Sequence, residues 1–166
     1  METLDRLSYR LAKSAAYLSG FILVYMVAHV LYEIILRSLF SKSTYVLDEF
    51  VAYSTASITF LCFAYSFHEK SLIRVEIVIH RLKGNVRKTF EIASTAVTLL
   101  VILCLTWYFT VVTFWRDVTR GTVSESIAEV PLWIPELLAL IGLILFALQL
   151  FVSLLRLLTR ESTAKE

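Results

Sequence analysis

The sequence predicts an all-α membrane protein with four transmembrane helices, both termini cytoplasmic and an amphipathic inner-surface helix between helices 2 and 3. Three observations lead there. Hydrophobic residues make up 58% of the 166 positions and charged ones only 18%, where soluble domains carry ~45–50% and ~25%. Four glycines and two prolines leave little turn punctuation for a β-rich fold. Finally, four stretches, about 15–36, 46–67, 92–115 and 132–158, reach the ~20 apolar residues needed to cross ~30 Å of hydrocarbon. Backbone groups in lipid must bond within their own segment, so each stretch has to be a helix. The chain reads as one membrane domain over residues 1–166.

The first stretch could be mistaken for a secretory signal. It exceeds the usual ~7–15 apolar residues, however, and Arg37, Phe40 and Lys42 follow it instead of a small-residue cleavage site, so a retained helix is expected. The second stretch is sprinkled with Ser54, Thr55, Ser57 and Thr59 but has no charge between Glu49 and His68. Ala52, Thr55, Ala56 and Thr59 recur at i, i+3, i+4 and i+7. Small and hydroxylated side chains let helices approach closely in lipid, so this face is expected to meet another helix, in this chain or in a partner.

Between the second and third stretches lies the most basic part of the chain, with Lys70, Arg74, Arg81, Lys83, Arg87 and Lys88. Ile73-Arg74-Val75-Glu76-Ile77 alternates like a strand, yet a lone strand at a membrane surface would leave its edge unpaired. A helix over about 71–83 instead lines up Val75, Val78, Ile79 and Leu82 as an apolar stripe, with Arg74 and Arg81 together on another face. Such a helix would lie in the membrane surface among anionic lipid headgroups, ending near Gly84 and Asn85. After the third stretch the connection 116–130 leads to Pro131 and Pro135. Both are expected at the entry to the fourth helix, where a missing N–H costs nothing. Trp115 and Trp133 flank that connection as interfacial anchors.

Twelve of the sixteen Lys and Arg fall in the two tails and the middle connection, and four in the first and third connections. The positive-inside rule then places both tails and the middle connection in the cytoplasm. The net charge of +2 reflects this distribution. It forms no basic face suited to nucleic acid.

Few polar residues remain inside the spans. His29, Glu33 and Arg37 form one stripe at i, i+4, i+8, with Glu before Arg in the favourable order for a helical ion pair. They are read either as a functional site, the usual first hypothesis for intramembrane charge, or as a Glu33–Arg37 pair reaching the interface with His29 hydrogen-bonded to a neighbouring helix. Asp48 and Glu49 open the second helix, either as acids favoured at a helix start or with Arg37 as an outer cluster that fixes the first two helices or receives a partner. Cys62 and Cys104 read as small packing residues. The three histidines lie at unmatched depths and do not supply a haem-ligand pair. With no catalytic set, metal-ligand spacing or glycine-rich phosphate loop, the expectation is a structural or accessory subunit without cofactor or enzymatic activity.

Three local patterns, in order, resemble the small (DctQ-like) membrane subunit of tripartite ATP-independent periplasmic (TRAP) transporters. Arg37, a short polar connection and Asp48-Glu49-Phe50-Val51-Ala52-Tyr53 are similar to that family's entry to helix two, though the frequent aromatic before the acid is out of place. Ile73-Arg74-Val75-Glu76-Ile77 resembles its stretch after helix two, with Leu72 where histidine is common. Ser126-Ile127-Ala128-Glu129-Val130-Pro131-Leu132-Trp133, followed by Gly142, resembles its entry to helix four. The resemblance spans about Arg37 to Gly142. It implies a bacterial inner-membrane complex with two partners, a large membrane subunit carrying the substrate and sodium sites and a periplasmic solute-binding protein, taking up organic acids by sodium symport. In it the small subunit braces the large one and helps receive the binding protein. Glu33, Arg37, Asp48 and Glu49 are then candidate contacts to those partners. The competing expectation is the membrane anchor of a redox complex, another common use of a few apolar helices.

Overall fold

The computed structural model describes residues 2–69 and 85–162, and every described span is helical. The first helix runs Glu2–Phe40 and the second Leu47–His68. The third is one rod: α-helical over Asn85–Tyr108, a π segment over Phe109–Phe114, and α-helical again over Trp115–Arg120. The fourth runs Trp133–Ser162. All four are long and apolar enough to cross a membrane, so the chain is a multi-pass membrane protein. The expected surface helix with Arg74, Glu76 and Arg81 lies outside the described residues.

The first helix begins well before the apolar stretch that announces it. At ~1.5 Å per residue its 39 residues span roughly 58 Å, about twice the hydrocarbon thickness. Residues 2–14 contain no Gly or Pro to stop it, and it has a reason to continue. Ser8, Ala12, Ala15 and Ser19, spaced i, i+4, i+7, i+11, are all buried. Lipid tails are as apolar as leucine, so packing holds membrane helices together, and small residues permit the closest packing.

The second and fourth helices form the centre, with the first packed on the second and the third on the fourth. Half of the fourth helix's most apolar window is buried and none of the third's, which makes the third helix the peripheral one. The core gathers Ala12 from the first helix, Ala64 from the second, Leu99 from the third, and Phe146, Ala147 and Leu150 from the fourth. Phe63 and Phe67 pack their rings on Phe146 with centroids 5.5 and 5.8 Å apart, separations at which tilted aromatic pairs attract. Closest of all is Gly142. A Cβ there would lie 2.5 Å from the Phe60 carbonyl oxygen and 2.8 Å from the Leu61 nitrogen, so the backbones of the second and fourth helices touch.

Two local features depart from the sequence reading. Pro131 precedes the fourth helix rather than opening it: it pairs with Val123 in an isolated antiparallel bridge, and Pro135 is the proline inside the first turn. The turn is closed instead by the Leu132 N–H, bonded to the Thr122 carbonyl at 3.1 Å. The π segment had no announcement in the sequence. Just before and within it, Thr106 and Thr110 return their hydroxyls to the carbonyls of Ile102 and Thr106, both at 2.7 Å, the kind of competition that loosens a helical ladder.

A polar end of the bundle as candidate functional site

The buried acids Glu33 and Asp117 lie at one end, where the first and third helices finish and the second and fourth begin. Three ties can be traced there, each from an acid on a helix to a partner on a connection or another helix.

The first tie is centred on Glu33, whose side chain is 1% exposed against 57% for Arg37. Arg37 Nε donates to its Oε1 at 2.7 Å. Ser43 Oγ donates to Oε1 at 2.5 Å and Thr44 Oγ1 to Oε2 at 2.6 Å. The Thr44 N–H reaches both oxygens, at 3.3 and 3.2 Å. Arg37 Nη2 and the Tyr45 N–H both donate to Ser43 Oγ at 3.2 Å. The connection is thus wrapped around one carboxylate, and the wrap is tight enough to place two non-glycine residues, Ser41 and Tyr45, at φ 51° and 58°. Left-handed backbone costs ~1–2 kcal/mol per non-glycine residue, which charge-assisted hydrogen bonds, each roughly twice as strong as neutral ones, offset.

The second tie joins the second helix to the third connection. Tyr53 donates its hydroxyl to Glu49 Oε1, one turn away, while Glu49 Oε2 is buried without a hydrogen-bond partner. Ser124 and Ser126 lie near the same carboxylate and share a hydrogen bond between their hydroxyls at 3.1 Å. Ser124 is buried. Its N–H bonds the Val130 carbonyl at 2.9 Å, and its Oγ accepts from the Val130 N–H at 3.2 Å. The connection is therefore a small hairpin-like flap over the start of the second helix, with Ile127 at its tip 79% exposed.

The third tie holds the end of the third helix to the connection that follows it, where the Thr122 N–H donates to the Asp117 carbonyl at 3.2 Å. Asp117 is 2% exposed. Its carboxylate accepts from Arg116 Nε at 2.9 Å and Nη2 at 3.4 Å, and the Glu136 carboxyl of the fourth helix lies near it with Oε2 buried and without a hydrogen-bond partner. The helix ends at Gly121 in the left-handed conformation (φ 61°), whose N–H bonds the Asp117 carbonyl, the usual role of glycine after a last turn.

Of the residues singled out from the sequence, Glu33 and Arg37 come together, Glu49 joins Tyr53 and the flap, and Asp48 is exposed. His29 meets the second helix by stacking on Phe50, centroids 5.5 Å and planes 19° apart, rather than by the expected hydrogen bond; its Nε2 is buried without a partner. Ala52, Thr55, Ala56 and Thr59 are exposed in this chain. The second helix packs internally through Ser54, Ser57, Leu61 and Ala64, nearly the opposite side at ~100° per residue. The Thr55 hydroxyl lies 3.8 Å from Met26 Sδ of the first helix, and it and Thr59 bond back to their own helix. Cys62 sits 2.8 Å from Ser19 Oγ, and both cysteines are free. Sequence reasoning missed Ser43, Thr44, Asp117, Ser124 and Glu136, of which Asp117, an acid closing an apolar span, carried a signal; Ser126 was read only as part of the pattern at the entry to the fourth helix. Among the described residues no cluster of His, Cys, Asp and Glu is arranged to hold a metal ion.

Comparison with known proteins adds the family. Neither the curated proteins nor the solved structures contain a significant match. The family model described as "Tripartite ATP-independent periplasmic transporters, DctQ component" matches residues 26–160. That range holds the end of the first helix, all three ties and the second, third and fourth helices, so the chain belongs to the DctQ family, the small membrane subunits of TRAP transporters.

Proposed function

We propose that this chain braces the large membrane subunit of a TRAP transporter in a bacterial inner membrane and helps receive the periplasmic binding protein, supporting sodium-driven uptake of an organic acid. The observation that carries the bracing role is how its intramembrane charge is used. Glu33 and Asp117 are buried and each is paired with an arginine of its own helix, and Glu33 also holds the first connection through Ser43 and Thr44. Ionisable groups that serve an ion pathway are arranged through the depth of the membrane; here the two buried acids among the described residues both sit at one end, where helices finish.

The surface proposed for the large subunit is the face of Ala52, Thr55, Ala56 and Thr59. It is exposed, its side chains are small, and the Thr55 and Thr59 hydroxyls are satisfied by their own helix, so another helix can lie close against it. Arg37 and Asp48, exposed at the polar end, are proposed as contacts for the binding protein. The test is complementation of a strain lacking this chain. Wild type should restore sodium-dependent organic-acid uptake, and Ala56→Leu should fold but recover the large subunit several-fold less well on co-purification. Full uptake in the uncomplemented strain would overturn the function, and undiminished co-purification of Ala56→Leu would overturn the assigned face.

The proposed orientation, with both termini in the cytoplasm, gives a second expected result. In a background lacking Cys62 and Cys104, a cysteine at Ile127, on the tip of the flap, should react with a membrane-impermeant thiol reagent added to intact cells. One at Glu69, exposed at the other end of the second helix, should react only after the cells are opened. The reverse pattern would invert the topology.

A further inference from the structure

The opposite end of the bundle carries a second polar group of side chains, which the bracing role does not use. On the first helix the small residues Ser8, Ala12, Ala15 and Ser19 face inward. The spacing of a helix puts Arg6, Arg10, Lys13 and Tyr17 together on the far side; Arg6, Arg10 and Tyr17 are exposed and Lys13 half-buried. Lys13 Nζ is held 5.9 Å from the ring centroids of both Tyr9 and Tyr17, within reach of a cation–π attraction to each. Tyr9 in turn packs on His68 and Tyr65 of the second helix, at 4.6 and 6.3 Å, so the position of Lys13 is built by two helices. Glu69 is the acid that closes the second helix here. It sits beside His68, 3.9 Å from its Nδ1, which leaves the Arg10–Lys13–Tyr17 side to accept negative charge.

Depth identifies what that charge belongs to. About 20 helical residues cross the hydrocarbon, and counting back from Leu36 puts Tyr17 at the opposite boundary. Lys13 then lies roughly one turn beyond it, at headgroup level, Arg10 roughly two turns beyond, within side-chain reach of the headgroups, and Arg6 further out. On the hydrocarbon side of Tyr17 the same flank continues with Phe21 and Val24, 72% and 68% exposed. Beside them is Gly20, where a Cβ would find nothing within 4 Å. An open apolar track therefore runs directly into a basic, tyrosine-flanked patch. We propose that this flank of the first helix is a binding site for an anionic phospholipid, with its phosphate on Arg10 and Lys13 and an acyl chain along Tyr17, Phe21 and Val24. The pairing of track and patch fits a lipid rather than a free phosphate, which would use the basic groups alone. The site does not depend on the direction in which the chain is inserted or on what the complex transports.

The test uses the full chain co-purified with its large subunit, with phosphatidylglycerol, phosphatidylcholine and inorganic phosphate as probes. Bound lipid is counted by native mass spectrometry. Wild type should retain phosphatidylglycerol in preference to phosphatidylcholine, and inorganic phosphate should not displace it. Arg10→Gln with Lys13→Gln should lower the apparent affinity for phosphatidylglycerol about ten-fold, while Lys42→Gln with Arg120→Gln, at the other end, should leave it unchanged. Should the first double variant fail to assemble, Arg10→Gln alone decides, with an expected loss of about two-fold or more. Equal retention by wild type and the Arg10 and Lys13 variants, or no preference for the anionic lipid, overturns the proposal. Displacement by inorganic phosphate would reduce the site to a bare anion patch and overturn the lipid assignment.

Discussion

Gly142→Ala should destabilise the protein by about 3 kcal/mol, the upper part of the range for forcing extra atoms into a filled core. The measurement is thermal unfolding of the detergent-solubilised chain, together with its recovery in the complex. The sign of the result is informative because two effects oppose each other. Alanine is the better helix former by ~0.8–1.0 kcal/mol, so a glycine with open space around it is expected to gain from the change. Gly20, with nothing within 4 Å of its would-be Cβ, is that case, and Gly20→Ala should be neutral or stabilising by up to about 1 kcal/mol. At Gly142 the added carbon meets the backbone of Phe60 and Leu61, not the end of a flexible side chain. No rotamer change relieves that contact, so the second and fourth helices must move apart and loosen Phe63 and Phe67 from Phe146. A stabilised Gly142→Ala would mean that the two helices do not approach as closely as the structure shows.

Gly142 also marks where the sequence was informative and where it was not. Its place in a pattern was visible; the backbone contact that requires it was not, because nothing in the fourth stretch names Phe60 as its neighbour. Four helices were legible because hydrocarbon thickness sets a length that composition alone reveals. The start of the first helix was not. Arg6, Arg10 and Lys13 end an apolar run without ending a helix, and the stripe from Ser8 to Ser19 becomes a signal only once a partner helix is beside it. The same limit explains the second helix. Small residues line both its sides, and periodicity cannot tell the side buried in this chain, Ser54 to Ala64, from the exposed side with Ala56. In the polar end, Glu33 and Arg37 were a readable i, i+4 pair. Ser43 and Thr44 reach Glu33 only because Ser41 and Tyr45 take left-handed backbone that neither residue type advertises. Asp117 and Glu136 lie near each other across a connection whose fold depends on Ser124 and its bonds to Val130.

Glu33→Ala should loosen the first connection and lower recovery of the folded chain several-fold. Glu33→Gln should fall between it and wild type, and Arg37→Ala should be mildest. The order follows from counting acceptors. Glu33 supplies two carboxylate oxygens to the donors of Arg37, Ser43 and Thr44. Glutamine keeps one acceptor oxygen and turns an N–H₂ toward groups that already donate, so about half the set is lost. Alanine leaves every donor without its acceptor at a buried site, where the desolvation is not recovered. Removing Arg37 deletes one donor from a side chain that is already 57% exposed, and water can replace it. Limited trypsin digestion at Lys42, exposed in the middle of the wrapped connection, reports the loosening directly: cleavage should be fastest in Glu33→Ala and slowest in wild type. The comparison with transport then separates two roles for a buried intramembrane acid. An acid kept for an ion or a partner would leave the isolated chain as stable and as protease-resistant as wild type and fail only in uptake. An acid that holds the chain together should lose protease resistance and uptake together, Glu33→Ala before Glu33→Gln, and the five hydrogen bonds on Glu33 predict this second outcome.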